Sequence, residues 1–179
     1  MRTLIVPGLN GSGPGHWQTL WEETYGYERV EQRDWENPDL LEWINTLNTA
    51  VTAISERVVL VAHSLGCLTL AHWTQAYPEN VGQIRCALLV APPDVESSSD
   101  IPESLRRFAV HKVIPFPSVL VGSENDHYMK LASARRLAGY WESRFVNAGA
   151  VGHINPESGY GPWPEGEVLL QDLIKTTIE

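Results

Sequence analysis

The 179-residue chain carries a formal net charge of −9 on 43% hydrophobic and 20% charged residues, an ordinary globular balance. That length suits a single domain over residues 1–179, with a core that needs no disulfide staples. The acidic balance argues against a nucleic-acid surface or an anionic membrane partner, and no run approaches the roughly 20 apolar residues that span a bilayer.

The opening MRTLIVPGLNGSG has too short an apolar run for a signal peptide and reads as a first strand, Thr3–Pro7, entering a glycine-rich loop. Trp17, Leu20, Trp21 and Tyr25 then form a helical stripe, followed by a strand at Tyr27–Gln32. Leu40, Leu41, Ile44, Leu47 and Val51 form a second stripe, and a third strand covers Arg57–Ala62. After it comes AHSLG and a helix through Leu68, Leu70, Ala71 and Trp73, ending before Tyr77-Pro78. A fourth strand, Cys86–Ala91, precedes the longest polar interruption, Asp94–Pro117. This interruption reads either as an excursion near the carboxyl ends of the strands or as a mobile loop with one short helix. The rest is a strand at Ser118–Gly122, a helix at Leu131–Trp141, a strand at Ser143–Asn147 and a helix at Val168–Ile178. The runs LIV, VVLVA, ALLVA and VLV are unbroken rather than alternating, which suits a parallel sheet covered on both faces. Strands alternating with helices give the α/β class, built from right-handed crossovers. The two cysteines, Cys67 and Cys86, both fall in segments that read as buried, so the expected compartment is the reducing cytoplasm.

The junction in VVLVAHSLGCLTLAHW raises the functional question. A serine hydroxyl needs a base to become a useful nucleophile. A strand–turn–helix elbow lifts it clear of the sheet, provided the residues two before and two after are small. Ala62 and Gly66 hold those places, giving A-x-S-x-G rather than G-x-S-x-G. The elbow also opens a helix at Ser64, so the Leu65 N–H points at a developing oxyanion. The competing reading is a serine N-cap, and the pentapeptide alone does not choose between them. His63, adjacent in sequence, cannot swing its ring onto Ser64 in such a turn and reads as a supporting residue.

The order serine, acid, histidine, each at a later strand end, picks the partners. Ser118–Gly122 leads into Ser123-Glu124-Asn125-Asp126, which offers Asp126, with Glu124 and Asp94 as competitors. Asp126 also reads as a cap for a helix from Tyr128. Of six histidines, only His153 follows both candidate acids at a strand end, in a loop that Gly149 and Gly152 let bend back and Pro156 keeps out of a helix. Ser64 would attack a carbonyl, His153 would move the proton and Asp126 would fix its tautomer. The glycine-rich Pro7–Gly15 loop offers Leu9 or Asn10 as a second oxyanion donor. It lacks both G-x-x-x-x-G-K-[ST] and G-x-G-x-x-G, which argues against a nucleotide site.

With VPGLNGSGPGHWQTLW, QRDWENPDLLEW, VAHSLGC, VGSENDHY and GHINPESGYGPWPEG in place, the chain resembles, over nearly its whole length, the small serine hydrolases of the YdeN and retinoblastoma-binding-protein type, a compact branch of the α/β-hydrolases. The resemblance favours Asp126 over Asp94. It implies a three-layer fold with six parallel strands in the order 2-1-3-4-5-6, no large lid, no metal and no organic cofactor. The mammalian relative is associated with an L-x-C-x-E motif that binds pocket proteins. Here LGCLT ends in Thr69, so no protein partner carries over.

Small carboxylic esters are the expected substrates, with amides open to the same machinery. Trp17, Trp35 and Trp163 are candidate walls of an acyl pocket, although for any one of the seven tryptophans a core role is the plainer reading. His16 resembles a recurrent neighbour of the first loop. The alternative from another class is a binding protein on a hydrolase scaffold, since fold does not dictate function.

Overall fold

In the computed structural model, which describes residues 1–177, the strands are β1 (Arg2–Val6), β2 (Glu28–Arg29), β3 (Val58–His63), β4 (Ile84–Val90), β5 (Ser118–Gly122) and β6 (Arg144–Asn147). They pair in the order β2-β1-β3-β4-β5-β6, every pair parallel. The helices are α1 (Trp17–Tyr25), α2 (Leu40–Thr52), α3 (Leu65–Ala76), α4 (Leu131–Trp141) and α5 (Pro164–Thr176).

The unbroken apolar runs serve two faces at once. Leu4, Val6, Leu60, Ala62, Leu89 and Leu120 face one cluster, filled by Trp43 and Leu47 of α2, Leu70 and Trp73 of α3, and Trp141 of α4. Their alternate neighbours Ile5, Val59, Val61, Leu88, Val90 and Val121 face the other, filled by Trp17 and Trp21 of α1 and Leu170 and Ile174 of α5. A strand buried on both sides cannot afford polar alternation, which is why these segments read as continuous.

Two boundaries differ most from the sequence reading. The strand expected at Tyr27–Gln32 shrinks to two residues: it lies at the sheet edge with β1 as its sole neighbour, and Gln32 turns aside so that its amide donates to the Trp43 carbonyl (3.2 Å). The last helix starts at Pro164, earlier than Val168, because proline suits the first turn of a helix, where its missing N–H costs nothing. Its expected end at Ile178 lies outside the described residues. Within Asp94–Pro117 a short 3-10 helix, Glu103–Phe108, buries Leu105 and Phe108 on α3's side of the sheet. This segment therefore packs as part of the structure above the carboxyl ends of the strands.

Candidate active site

Ser64 occupies the turn between β3 and α3 with φ 53° and ψ −126°, a left-handed φ that costs a non-glycine residue on the order of 1–3 kcal/mol. The surroundings hold it there. Its N–H donates to the Val90 carbonyl (2.9 Å) and its own carbonyl accepts from the Cys67 N–H (3.0 Å). Glycine at 66 is a packing necessity, since a Cβ would overlap the Val6 carbonyl oxygen and stand 2.7 Å from that of Pro7. Ala62, two residues before the serine, buries its methyl among apolar neighbours, so the departure from glycine is accommodated. The Ser64 hydroxyl makes no capping bond to α3. It lies 3.0 Å from His153 Nε2 instead.

On the far side of the ring, His153 Nδ1 is 2.9 Å from Asp126 Oδ2. The His153 side chain is 11% exposed and that of Asp126 2%, so this pair is largely withdrawn from water. The second Asp126 oxygen accepts from the Tyr128 N–H (2.9 Å). Asp126 therefore closes a tight turn and does not cap α4, whose first turn begins five residues on. Its competitors are engaged elsewhere. Asp94 accepts from the N–H groups of Glu96 and Ser97, and Glu124 accepts from the Asn147 amide.

The loop carrying His153 is clasped rather than draped, by bonds the sequence reading does not foresee. Ser123 Oγ accepts from the Val151 N–H (3.1 Å), and Asn125 Oδ1 accepts from the Gly152 N–H (2.7 Å). Ser158 Oγ accepts from the His153 N–H (3.0 Å) and donates to Asn155 Oδ1 (2.7 Å). The motifs VGSEND and GHINPES are two halves of this clasp. Spacing alone gives no hint of the bonds from Ser123 and Asn125, because each joins a side chain to backbone more than 25 residues away.

Leu65 opens α3, so its N–H has no acceptor within the helix. The loop after β1 runs against it: a Cβ on Gly8 would stand 2.9 Å from the Leu65 nitrogen and 3.0 Å from Ser64 Cβ. Of the two donors offered by that loop, the Asn10 N–H is already committed to the Trp35 carbonyl (3.0 Å), which withdraws Asn10 and leaves Leu9. The buried Gln18 fixes the loop, its amide reaching the Val61 carbonyl (3.1 Å) and its oxygen accepting from Ser12 Oγ (2.6 Å). Arg29 secures it from the other side by donating to the carbonyls of Gly11 and Ser12.

A cavity of about 380 Å³ opens over Ser64, lined among others by Leu9, His16, Ile101, Leu105, Tyr128 and His153. None of the three candidate tryptophans lines it. Trp35 packs on the opposite cluster, its ring against Gly11. Trp17 and Trp163 stand behind the histidine loop with ring centroids 4.9 Å apart, and Trp17 Nε1–H donates to the Ile154 carbonyl (2.9 Å). Large aromatic rings are worth more in a two-faced core than in a shallow wall, and that demand absorbs them.

His16 is buried at the cavity's inner edge. Its Nδ1 accepts from the Gln18 N–H (3.1 Å) as the cap of α1, which leaves the proton on an Nε2 without a partner. Burial first, then Arg29 and His153, pushes its pKa down to about 4. An ordinary histidine in the unfolded chain titrates near 6.5, so the unfolded state binds the extra proton between those values and the native state does not. Stability is therefore whole above about pH 6.5 and falls as pH drops toward 4, by about 3 kcal/mol from this group. His16→Asn keeps a cap acceptor without a titrating proton. It should shrink the acid loss, measured as urea midpoints at the two pH values, by a comparable amount.

A family model for serine hydrolases matches residues 3–172. A YdeN-like hydrolase of Pectobacterium atrosepticum, as that structure is described, is 30% identical, with 99% of this chain and 92% of that one covered and a TM-score of 0.86. The ydeN gene product of B. subtilis is 19% identical over 97% of this chain and 98% of its own, with a TM-score of 0.80. A monoacylglycerol lipase of Paleococcus ferrophilus shares the fold at 14% identity and a TM-score of 0.71, covering 97% of this chain and 93% of that one. No curated protein sequence matches. On the extent of the family match and the 30% relative, the chain belongs to the serine hydrolase family, on the α/β-hydrolase fold of the YdeN-like enzymes.

Proposed function

We propose that the chain hydrolyses small carboxylic esters through an acyl-enzyme on Ser64. The observation that carries this reading is the unbroken path from Ser64 Oγ to His153 Nε2 (3.0 Å) and from His153 Nδ1 to Asp126 Oδ2 (2.9 Å) on the wall of an open cavity. In the resting tautomer the serine hydroxyl donates to Nε2 and Nδ1–H donates to Asp126. As Oγ attacks the ester carbon, its proton passes to Nε2, and the carboxylate of Asp126 stabilises the resulting imidazolium. The former carbonyl oxygen, now negative, is met by the N–H groups of Leu65 and Leu9. Collapse expels the alcohol, which takes the proton from His153. A water molecule then repeats the sequence on the acyl-enzyme, releasing the acid and restoring Ser64. Amides fit the same machinery.

The test combines labelling by a fluorophosphonate probe with turnover of short p-nitrophenyl esters. Ser64→Ala should abolish both; turnover that survives it would refute the reading. The alternative of a binding protein gains no particular support, and a strained, hydrogen-bonded Ser64 is a costly feature to keep without chemistry.

The cavity also constrains the acyl group. Its charged lining residues are the exposed carboxylates of Asp100 and Glu157, with no lysine or arginine among the described lining residues. An anionic acyl chain therefore meets repulsion without a counter-charge. At low ionic strength kcat/KM for p-nitrophenyl hemisuccinate should lie about fivefold below that for p-nitrophenyl butyrate, and about 1 M salt should close most of the electrostatic part of that gap. A gap indifferent to salt would point to size instead of charge.

A further inference from the structure

His63 is a buried, titratable ring beside the site to which the mechanism gives no task. It is the last residue of β3 and the immediate neighbour of Ser64. Its ring lies between those of His16 and His153, with centroids 4.7 Å and 4.9 Å away, while Trp17 meets it edge-on at 5.9 Å. Its Nε2 is 2.9 Å from the His153 carbonyl oxygen. A carbonyl can only accept, so Nε2 carries the hydrogen. Burial, with His153 and His16 next in weight, pushes the His63 pKa well down, so the ring stays neutral with a bare Nδ1.

We propose that His63 is a positioning residue that sets the separation of nucleophile and base, by donating from the Ser64-bearing strand end to the backbone of the His153 loop. The inference rests on the ester-hydrolase reading above and adds the device that keeps its base in reach. Two consecutive carbonyls of that loop, those of His153 and Ile154, are held by ring N–H groups, one from His63 and the other from Trp17. Ile154 sits at φ 49°, a costly conformation for a β-branched residue, so the loop would relax if released. His63 is covalently next to Ser64. Any shift of the elbow therefore carries the His153 backbone with it, and the 3.0 Å contact survives movement of either part. Ring neutrality matters as well, because a charged ring 4.9 Å from His153 would oppose the imidazolium that forms during turnover.

Three substitutions test the device. His63→Phe keeps the volume and loses the donor. His63→Gln places an amide N–H near the position of Nε2, whereas the shorter side chain of His63→Asn reaches only to that of Nδ1. His63→Phe should lower kcat for a p-nitrophenyl ester about tenfold to a hundredfold, the scale of a misplaced catalytic group, with KM changed by less than about twofold. Fluorophosphonate labelling of Ser64 should slow in step, His63→Gln should recover most of the loss, and His63→Asn should not. Wild-type kcat in a folded His63→Phe protein would overturn the proposal. If His63→Phe fails to fold, the other two decide: Gln well above Asn supports the donor role, and equal losses overturn it. Ser64→Ala separates the two layers, because turnover surviving that change refutes the ester-hydrolase reading, whereas its loss alongside an indifferent His63→Phe refutes only the positioning role.

Discussion

His153→Ala should lower kcat for a short p-nitrophenyl ester by about 10⁶-fold, and adding Ser64→Ala should lower it no further. Without a base 3.0 Å away, the Ser64 hydroxyl keeps its proton and attacks slowly; without the hydroxyl, His153 has nothing to activate but stray water. The two side chains are one device, and its loss is complete once either is gone. Asp126→Asn should cost less, about 10⁴-fold, by leaving the ring free to place its proton on Nε2, where it can no longer accept from Ser64. The measurement is steady-state kcat for the two single variants, the double variant and Asp126→Asn, each checked for a native melting transition. Losses for Ser64 and His153 that multiply would mean that the two act separately, and the proposed mechanism would fall.

Much of this arrangement is legible in the amino-acid sequence because the chemistry and the fold impose short-range patterns. A strand buried on both faces must be apolar throughout, so β3 and β4 announce themselves. A serine on so sharp a turn needs small neighbours, so Ser64 is flanked by Ala62 and Gly66. Asp94 and Asp126 look alike in sequence, each following a strand end, and nothing local separates them. The difference lies in where the fold delivers each carboxylate: both give Oδ1 to their own turn, and it is the second oxygen of Asp126 that lies 2.9 Å from His153. Asn10 fails because its N–H is claimed by a carbonyl 25 residues away in sequence. The tryptophans mislead because size and apolarity serve a core and a pocket equally well. Trp17 does serve the site, from behind, through one indole N–H that no sequence pattern marks.

Backbone strain gathers at the site without being confined to it. Asn10, Ser12, Ser64 and Ile154 adopt positive φ in the first loop, the elbow and the histidine loop, while Ala91, Glu142 and Trp163 do so elsewhere, the last two at helix ends. Such conformations persist only where several contacts over-determine them. Gln18 and Arg29 secure the first loop, Val90 and Cys67 the elbow, and Ser123, Asn125, Ser158, His63 and Trp17 the histidine loop. The core clusters on either face of the sheet thus hold three strained segments at fixed separation above it.

Gly66→Ala tests that rigidity where it is greatest. A Cβ there would overlap the Val6 carbonyl oxygen and crowd Pro7, whose oxygen would lie 2.7 Å away. Neither atom belongs to a flexible side chain. Both are backbone at the end of β1, which is paired on both sides with β2 and β3, so relief requires moving a strand or the start of α3. Alanine's better helix propensity returns about 1 kcal/mol, whereas forced overpacking against backbone costs several times that, for a net loss of about 3 kcal/mol. In a domain of this size that lowers the melting temperature by about 10 °C. The matched comparison is Gly139→Ala in α4, where nothing lies within 4 Å of the added carbon and the change should instead stabilise by up to about 1 kcal/mol. The substitution at 66 should also cut kcat/KM about a hundredfold well below its melting point, because the displaced end of β1 carries Gly8 and Leu9 away from Leu65. A Gly66→Ala protein that melts and turns over like the wild type would mean that the elbow yields. The close approach of β1 to α3 would then not be what holds Ser64 in place.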